Sequence, residues 1–279
     1  MKRGPDMYDF SAPLFYFKFV FLFEILVAET LLVYRVKRRP HFARRAAIAA
    51  AGLLFTFALP IPYYNALYSS AIFILIFTAT LAALKFCLDT SWGNVVYYGF
   101  FSYNEQHISF QIYSLACLPL DINANNNLYG NEMGDFADGL QILVFIVPHV
   151  LVYLGCWAFF KLREQEHGGT EFRLRDTPVF SLAIAIVFVN VILNAFVVYD
   201  LPAGIPEIVN YFIIFYNILG CVFALVMLVS IVGRKEAESE LKIVESLWHK
   251  NEEIYELSKV NVDFISMKCH DLRHRIRSI

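Results

Sequence analysis

Charge is scarce in this chain, and residues 46 to 84 contain no Lys, Arg, Asp or Glu at all. Charged residues make up 17% of the 279-residue sequence and hydrophobic ones 58%, against roughly 45–50% apolar content in soluble domains. A water-soluble core does not fit that balance. None of the five cysteines (Cys87, Cys117, Cys156, Cys221, Cys269) pairs at CxxC spacing, and each sits singly in an apolar or helical stretch. A disulfide framework and a zinc knuckle are therefore unsupported, which leaves small apolar packing as their role. Nor is there a basic face for nucleic acid, since the net charge is -2 and Lys and Arg fall in short clusters between apolar runs. A signal peptide is not expected, since the first 13 residues are too polar for one and the apolar run behind them, too long and without a small-residue cleavage pattern, reads as the first membrane span.

What the sequence does have is apolar runs long enough to cross a bilayer, which takes about 20 residues. Candidate spans lie near 14–34, 46–62, 67–86, 93–118, 139–160, 178–199 and 208–232, the second being the shortest. Lys and Arg gather in 35–45 (Arg35, Lys37, Arg38, Arg39, Arg44, Arg45), in 161–176 (Lys161, Arg163, Arg173, Arg175) and at Arg234 and Lys235. Segments 63–66, 119–138 and 200–207 have none. Positive loops stay cytoplasmic, so the expectation is a multi-pass plasma-membrane protein of about seven spans, N-terminus outside and C-terminus inside. Lys2 and Arg3 run against that orientation. A six-span arrangement follows if Ala46 to Pro62 re-enters. Dense charge begins after Gly233, which sets a boundary between a transmembrane sensor domain, 1–233, and a cytoplasmic segment, 234–279.

That segment carries Leu241, Val244, Trp248, Asn251, Tyr255, Ser258, Val262, Ile265, Cys269, Leu272, Ile276 and Ile279 in unbroken 3-4 alternation. This is the a/d seam of a coiled coil, and polar Asn251 and Ser258 suit the fixing of register and oligomer number. With neither Gly nor Pro after Gly233, the fold class expected is an all-α membrane protein whose spans lead into a dimeric coiled-coil helix. The alternative is a monomeric amphipathic helix lying on the bilayer, against which the tail's acidic residues weigh.

The seam takes up Cys269 and Leu272, leaving His270, Asp271, Arg273 and His274 outside it, where another molecule reaches them. A neutral ring nitrogen is a nucleophile, and an adjoining carboxylate can orient the ring or accept its proton; His270 beside Asp271 is thus suited to accept a phosphoryl group. Several spans, a linking coiled coil and a His-acidic pair together resemble the sensor histidine kinases of the GHKL superfamily, in particular the peptide-sensing quorum-sensing type of bacteria. The specific part of the resemblance covers about Asn261 to Ile276. It implies His270 as phosphoacceptor, with Asp271 handling its proton. It further implies a homodimer, Mg-dependent ATP on a following catalytic domain, transfer to an Asp of a response regulator, and an extracellular ligand of peptide class. The chain departs from that type in having His274 where Asn is common and Leu272 where Tyr is frequent. The ATP-binding domain, with its Asn-containing box and Gly-rich lid, should follow the helix, yet the sequence ends at Ile279. The expectation is therefore a piece of a longer protein, inactive by itself. Two further readings of the tail stay open: His270 and His274 as plain solvated surface, or as an i, i+4 metal pair, for which no third ligand is evident.

Polar residues inside spans are costly and mark function or interhelical bonding. Glu24 lies in the first span, and the fourth carries Asn104, Glu105, Gln106, His107 and Gln111. Asn104, His107 and Gln111 share one helical face, with Ser114 a turn beyond. With Glu24 they are candidates for a ligand or coupling cavity, the alternative being hydrogen bonds that only hold spans together. Pro148, next to His149, predicts a kink in the fifth span. The Asn- and Gly-rich loop 121–138 carries Asp121, Glu132, Asp135 and Asp138 without a basic residue, fitting either recruitment of a basic ligand or a solvated connection.

Overall fold

A computed structural model describes residues 13–56, 66–120, 139–167, 178–199 and 207–277. Among these the chain forms seven α-helices: α1 Pro13–Val33, α2 Phe42–Phe55, α3 Ala66–Cys87, α4 Trp92–Cys117, α5 Gly139–His167, α6 Pro178–Tyr199 and α7 Glu207–Arg277. A short 3-10 turn, Leu118–Leu120, follows α4. The acidic loop 121–138 lies outside the described residues. Two compact units divide the chain, Met1–Ile231 and Val232–Ile279.

In the first unit the distribution of polarity is inverted relative to a water-soluble protein. The interior holds Lys18, Glu24, Glu29, Asn104, Glu105, Gln106, His107, Gln111, His149, Asn190 and Asn217, all buried. The outer faces are apolar: Leu143, Ile146, Val147, Val150 and Leu151 are exposed on α5, and Phe212, Phe215, Leu219 and Val226 on α7. A hydrocarbon solvent selects this arrangement, because an unpaired polar group facing lipid has no water to bond to. Among the described residues, Ala66–Cys87, Gly139–Phe159 and Ile208–Ser230 are long and apolar enough to cross a bilayer. The fold is that of a helical membrane protein.

The hub of this unit is α4, which packs against α1, α3, α5 and α6. Every residue from Gly99 to Gln111 is buried, so the helix is enclosed on all sides and needs no apolar face. Ser91 caps its start by accepting a bond from the Asn94 backbone N–H at 3.3 Å, as an N-cap serine should. Gly99 lets α3 come close, since a Cβ there would run into the Leu81 side chain.

The expected second span differs from the observed helix. α2 starts at Phe42 rather than 46, ends at Phe55 and has 14 residues, which at 1.5 Å per residue is about 21 Å, short of a ~30 Å hydrocarbon layer. Its charged first turn is helical because Arg45 finds carbonyl partners, donating from Nε to Pro40 O at 3.1 Å and from Nη1 to Phe86 O at 3.2 Å. The connections α1–α2 and α3–α4 are laced together at the same place. Arg39 N–H donates to Cys87 O at 3.0 Å, Asp89 N–H donates to Lys37 O at 2.8 Å, and Lys37 Nζ stands 3.2 Å from Asp89 Oδ2.

In the second unit α7 is a lone helix whose described side chains are all exposed. The apolar stripe is uncovered: Leu241 is 68% exposed, Trp248 61% and Ile276 72%.

Candidate functional site

Two polar arrays meet on opposite faces of α4, and the enclosure of that helix positions both. The first joins α1, α4 and α5. Gln106 Nε2 donates to Glu24 Oε2 at 2.6 Å, His149 Nε2 stands 3.1 Å from Glu24 Oε1, and the Tyr153 hydroxyl donates to the Glu24 backbone carbonyl at 3.2 Å. His149 Nδ1 lies 2.7 Å from Phe145 O. A carbonyl only accepts, so Nδ1 carries the proton of that bond and Nε2 is the acid-base position facing the carboxyl. Pro148 lies inside α5 and removes one helical N–H donor just before His149. His149 Nε2 and Glu24 Oε1 face each other at 3.1 Å without a formed hydrogen bond, both enclosed in the bundle. Removing one member of such a buried pair costs more than replacing both.

The second array joins α4 to α6 and α7. Gln111 Nε2 donates to Asn194 Oδ1 at 3.0 Å and lies 3.4 Å from His107 Nε2. Asn217 Nδ2 donates to the same Asn194 oxygen at 3.5 Å, and Asn190 Nδ2 reaches Cys221 Sγ at 3.6 Å. The His107 ring stacks on Tyr103, with centroids 5.8 Å apart and planes 16° from parallel. Asn104 turns back on its own helix, donating to Phe100 O at 2.7 Å. Of the residues singled out in the sequence, His107 and Gln111 thus belong together, whereas Glu24 pairs with Gln106 and His149.

Sequence reasoning passed over the roles of Gln106 and His149. Residues two apart on a helix lie about 200° apart, so grouping Asn104, His107 and Gln111 hides the stripe Ser102, Gln106, Ser109 and Tyr113 on the other side. Reading both polar faces of the fourth span would have found it. Two more acids are enclosed: Glu29 accepts from Thr80 Oγ1 at 2.8 Å, and both Glu105 carboxyl oxygens lack a hydrogen-bond partner among the described residues.

In the tail, His270 and Cys269 are exposed on α7, and Lys268 Nζ stands 5.6 Å from the Phe264 ring centroid. The side chains of Asp271 and His274 lie outside the described residues. No cluster of three or more potential metal-ligating His, Cys, Asp or Glu side chains occurs among the described residues.

Fold and polar interior define the class as a helical membrane protein with ionisable groups enclosed in its bundle. No protein-family model, curated protein or solved structure matches the chain.

Proposed function

We propose that this chain is the membrane-sensing and phosphoacceptor part of a two-component histidine kinase of the GHKL type. The observation that carries it is α7. It starts with an apolar segment long enough to cross a bilayer and has His270, next to Asp271, on an exposed surface near its far end. In this reading seven spans, with the N-terminus outside and the tail in the cytoplasm, receive an extracellular ligand of peptide class. The buried arrays are its coupling machinery, and the tail dimerises as a coiled coil. ATP with Mg on a catalytic domain supplies the phosphate, His270 accepts it, Asp271 takes or orients the ring proton, and a response-regulator Asp receives it next. The polar ladder from His107 through Gln111 and Asn194 to Asn217 supports this, because it ties the hub helix to α7.

The test is phosphorylation of the chain in membranes by a catalytic domain of the same family supplied in trans with Mg and ATP. The expected product is an acid-labile, base-stable phosphate that His270→Gln abolishes and His274→Gln largely spares. Asp271→Asn should slow its formation, a positioned base being worth about 10²–10⁴-fold in rate. Label lost only in His274→Gln would move the phosphoacceptor by one helical turn.

A second reading, a non-enzymatic receptor or transporter-like protein with an oligomerising tail, is favoured by the enclosed Glu24–His149 pair and by Glu105, since intramembrane acid-base groups also serve proton relays. Absence of label in every variant, the parent included, selects it.

A further inference from the structure

We propose that the basic corner joining the α1–α2 and α3–α4 connections is a binding surface for the headgroup of an anionic phospholipid, whose acyl chain lies along the outer face of α2. The inference is independent of the phosphoacceptor reading and concerns the first unit alone.

The charge balance of the corner is the first observation. Between Thr30 and Trp92 the sequence holds seven Lys and Arg residues against one acid, Asp89. The fold gathers them, because Arg38 pairs antiparallel with Leu88 and the flanking main-chain bonds tie residues 37–39 to 87–89. Lys37 takes the single acid, at 3.2 Å. Arg45 and Lys85 donate to the carbonyls of Pro40, Phe86 and Thr90, which satisfies their N–H groups and leaves their charge uncompensated. Arg38 and Arg44 are exposed, with neither an ion pair nor a hydrogen bond to a side chain or carbonyl among the described residues. The Arg38 guanidinium stands over the Phe42 ring, 4.7 Å from its centroid. Stacking holds the group in place and keeps its edge, a planar fork of donors suited to phosphate, open.

The second observation is depth. α3, long and apolar enough to cross the bilayer, ends at Cys87, and Tyr34 and Trp92 flank the corner at 41% and 52% exposure. Such amphipathic rings concentrate at headgroup level, so the cations are presented where lipid phosphates lie. Charge in any conformation would serve to orient the chain in the membrane. Here it is fixed by a main-chain pairing and a ring stack, which orientation does not require.

The third is the outer face of α2. Arg44, Ile48, Ala51 and Phe55 follow one another at helical spacing and share that face. All four are exposed, Ile48 at 61% and Phe55 at 75%, and Leu53 is the one buried residue of the helix. At 1.5 Å per residue the stripe runs for about 16 Å, cationic at one end and apolar beyond it. A phospholipid with an anionic head has the same order of parts. A water-soluble anion matches the arginines and leaves the stripe uncovered.

The experiment is native mass spectrometry of the full chain in detergent, titrated with dioleoyl phosphatidylglycerol and, separately, dioleoyl phosphatidylcholine, which differ in headgroup charge and share their acyl chains. The parent should bind the first several-fold more tightly, and a variant carrying Arg38→Gln and Arg44→Gln should bind the two alike. Lys250→Gln with Lys259→Gln removes the same charge from the exposed tail and should keep the preference. Equal binding of both lipids by the parent overturns the proposal, as does a preference that survives in the Arg38→Gln, Arg44→Gln variant. Equal loss in the tail variant would mark net charge alone and overturns it too. Glycerol phosphate added at the same concentration should leave phosphatidylglycerol bound; displacement makes the site one for a soluble phosphate and overturns the lipid as occupant. Thermal unfolding guards against a damaged fold. Without lipid the Arg38→Gln, Arg44→Gln variant should unfold at the parent's temperature, and with phosphatidylglycerol it should lose the extra rise that a ligand of the native state gives the parent. A full rise in the variant overturns the site.

Discussion

At the scale of single residues, Glu24 and His149 face each other at 3.1 Å, and removing one member leaves the other enclosed without its partner. His149→Leu should destabilise the bundle by about 3–5 kcal/mol, and Glu24→Leu in the same chain should recover much of the loss, because a buried pair costs most when half of it remains. Unfolding curves of the two variants in one detergent make the comparison. Gly220→Ala should cost about 1–3 kcal/mol as an overpacking change, its Cβ meeting Asn190 Nδ2 at 2.7 Å. Asn190→Ala alongside it should relieve the strain, and a Gly220→Ala variant as stable as the parent would show that the two helices part easily. Glu24 was legible in the sequence because a carboxylate near the middle of an apolar run stands out, although Glu29, five residues on in the same run, was passed over. His149 was not, since the neighbouring proline offers a sufficient account of that position as a kink, and its partner is 125 residues away, well beyond any local pattern.

Among elements, the helices were legible wherever apolarity alone defines them. α3 was expected over 67–86 and found as Ala66–Cys87, and α4 was expected over 93–118 and found as Trp92–Cys117. α2 departed because its boundary is set by carbonyls offered to Arg45 from Pro40 and Phe86, a tertiary contact that hydropathy does not register. The split of the fourth span's polar residues between two arrays was equally hidden, because it depends on which neighbours surround α4. The α4–α6–α7 ladder has its own consequence. Interhelical bonds of this kind contribute about 0.6 kcal/mol each, too little for Gln111→Leu or Asn194→Leu to unfold the bundle. Under the proposed function, these variants should therefore express and extract normally while changing ligand-dependent phosphorylation of His270. Unchanged output at normal expression would make the ladder an adhesive between helices and nothing more.

For the whole molecule, the proposed orientation predicts that a membrane-impermeant maleimide applied to intact cells labels Asn126→Cys and leaves Arg38→Cys untouched. The reverse pattern would invert the molecule. The lacing of Lys37 and Arg39 to Cys87 and Asp89 turns this into a question of parity. A path that leaves one side of a sheet and returns to that side has pierced it an even number of times. The ends of α1 and α3 meet at the lacing, so the proposed topology requires the chain between Val33 and Cys87 to pierce the bilayer an even number of times. If α3 accounts for one passage, residues 42 to 65 must account for another, and a second segment that dips in and returns is incompatible with α3 as a span. Asn65→Cys should accordingly react with the impermeant maleimide as Asn126→Cys does. Shielding of Asn65→Cys in intact cells, with labelling after the membrane is opened, would mean that α3 starts and finishes on the same side.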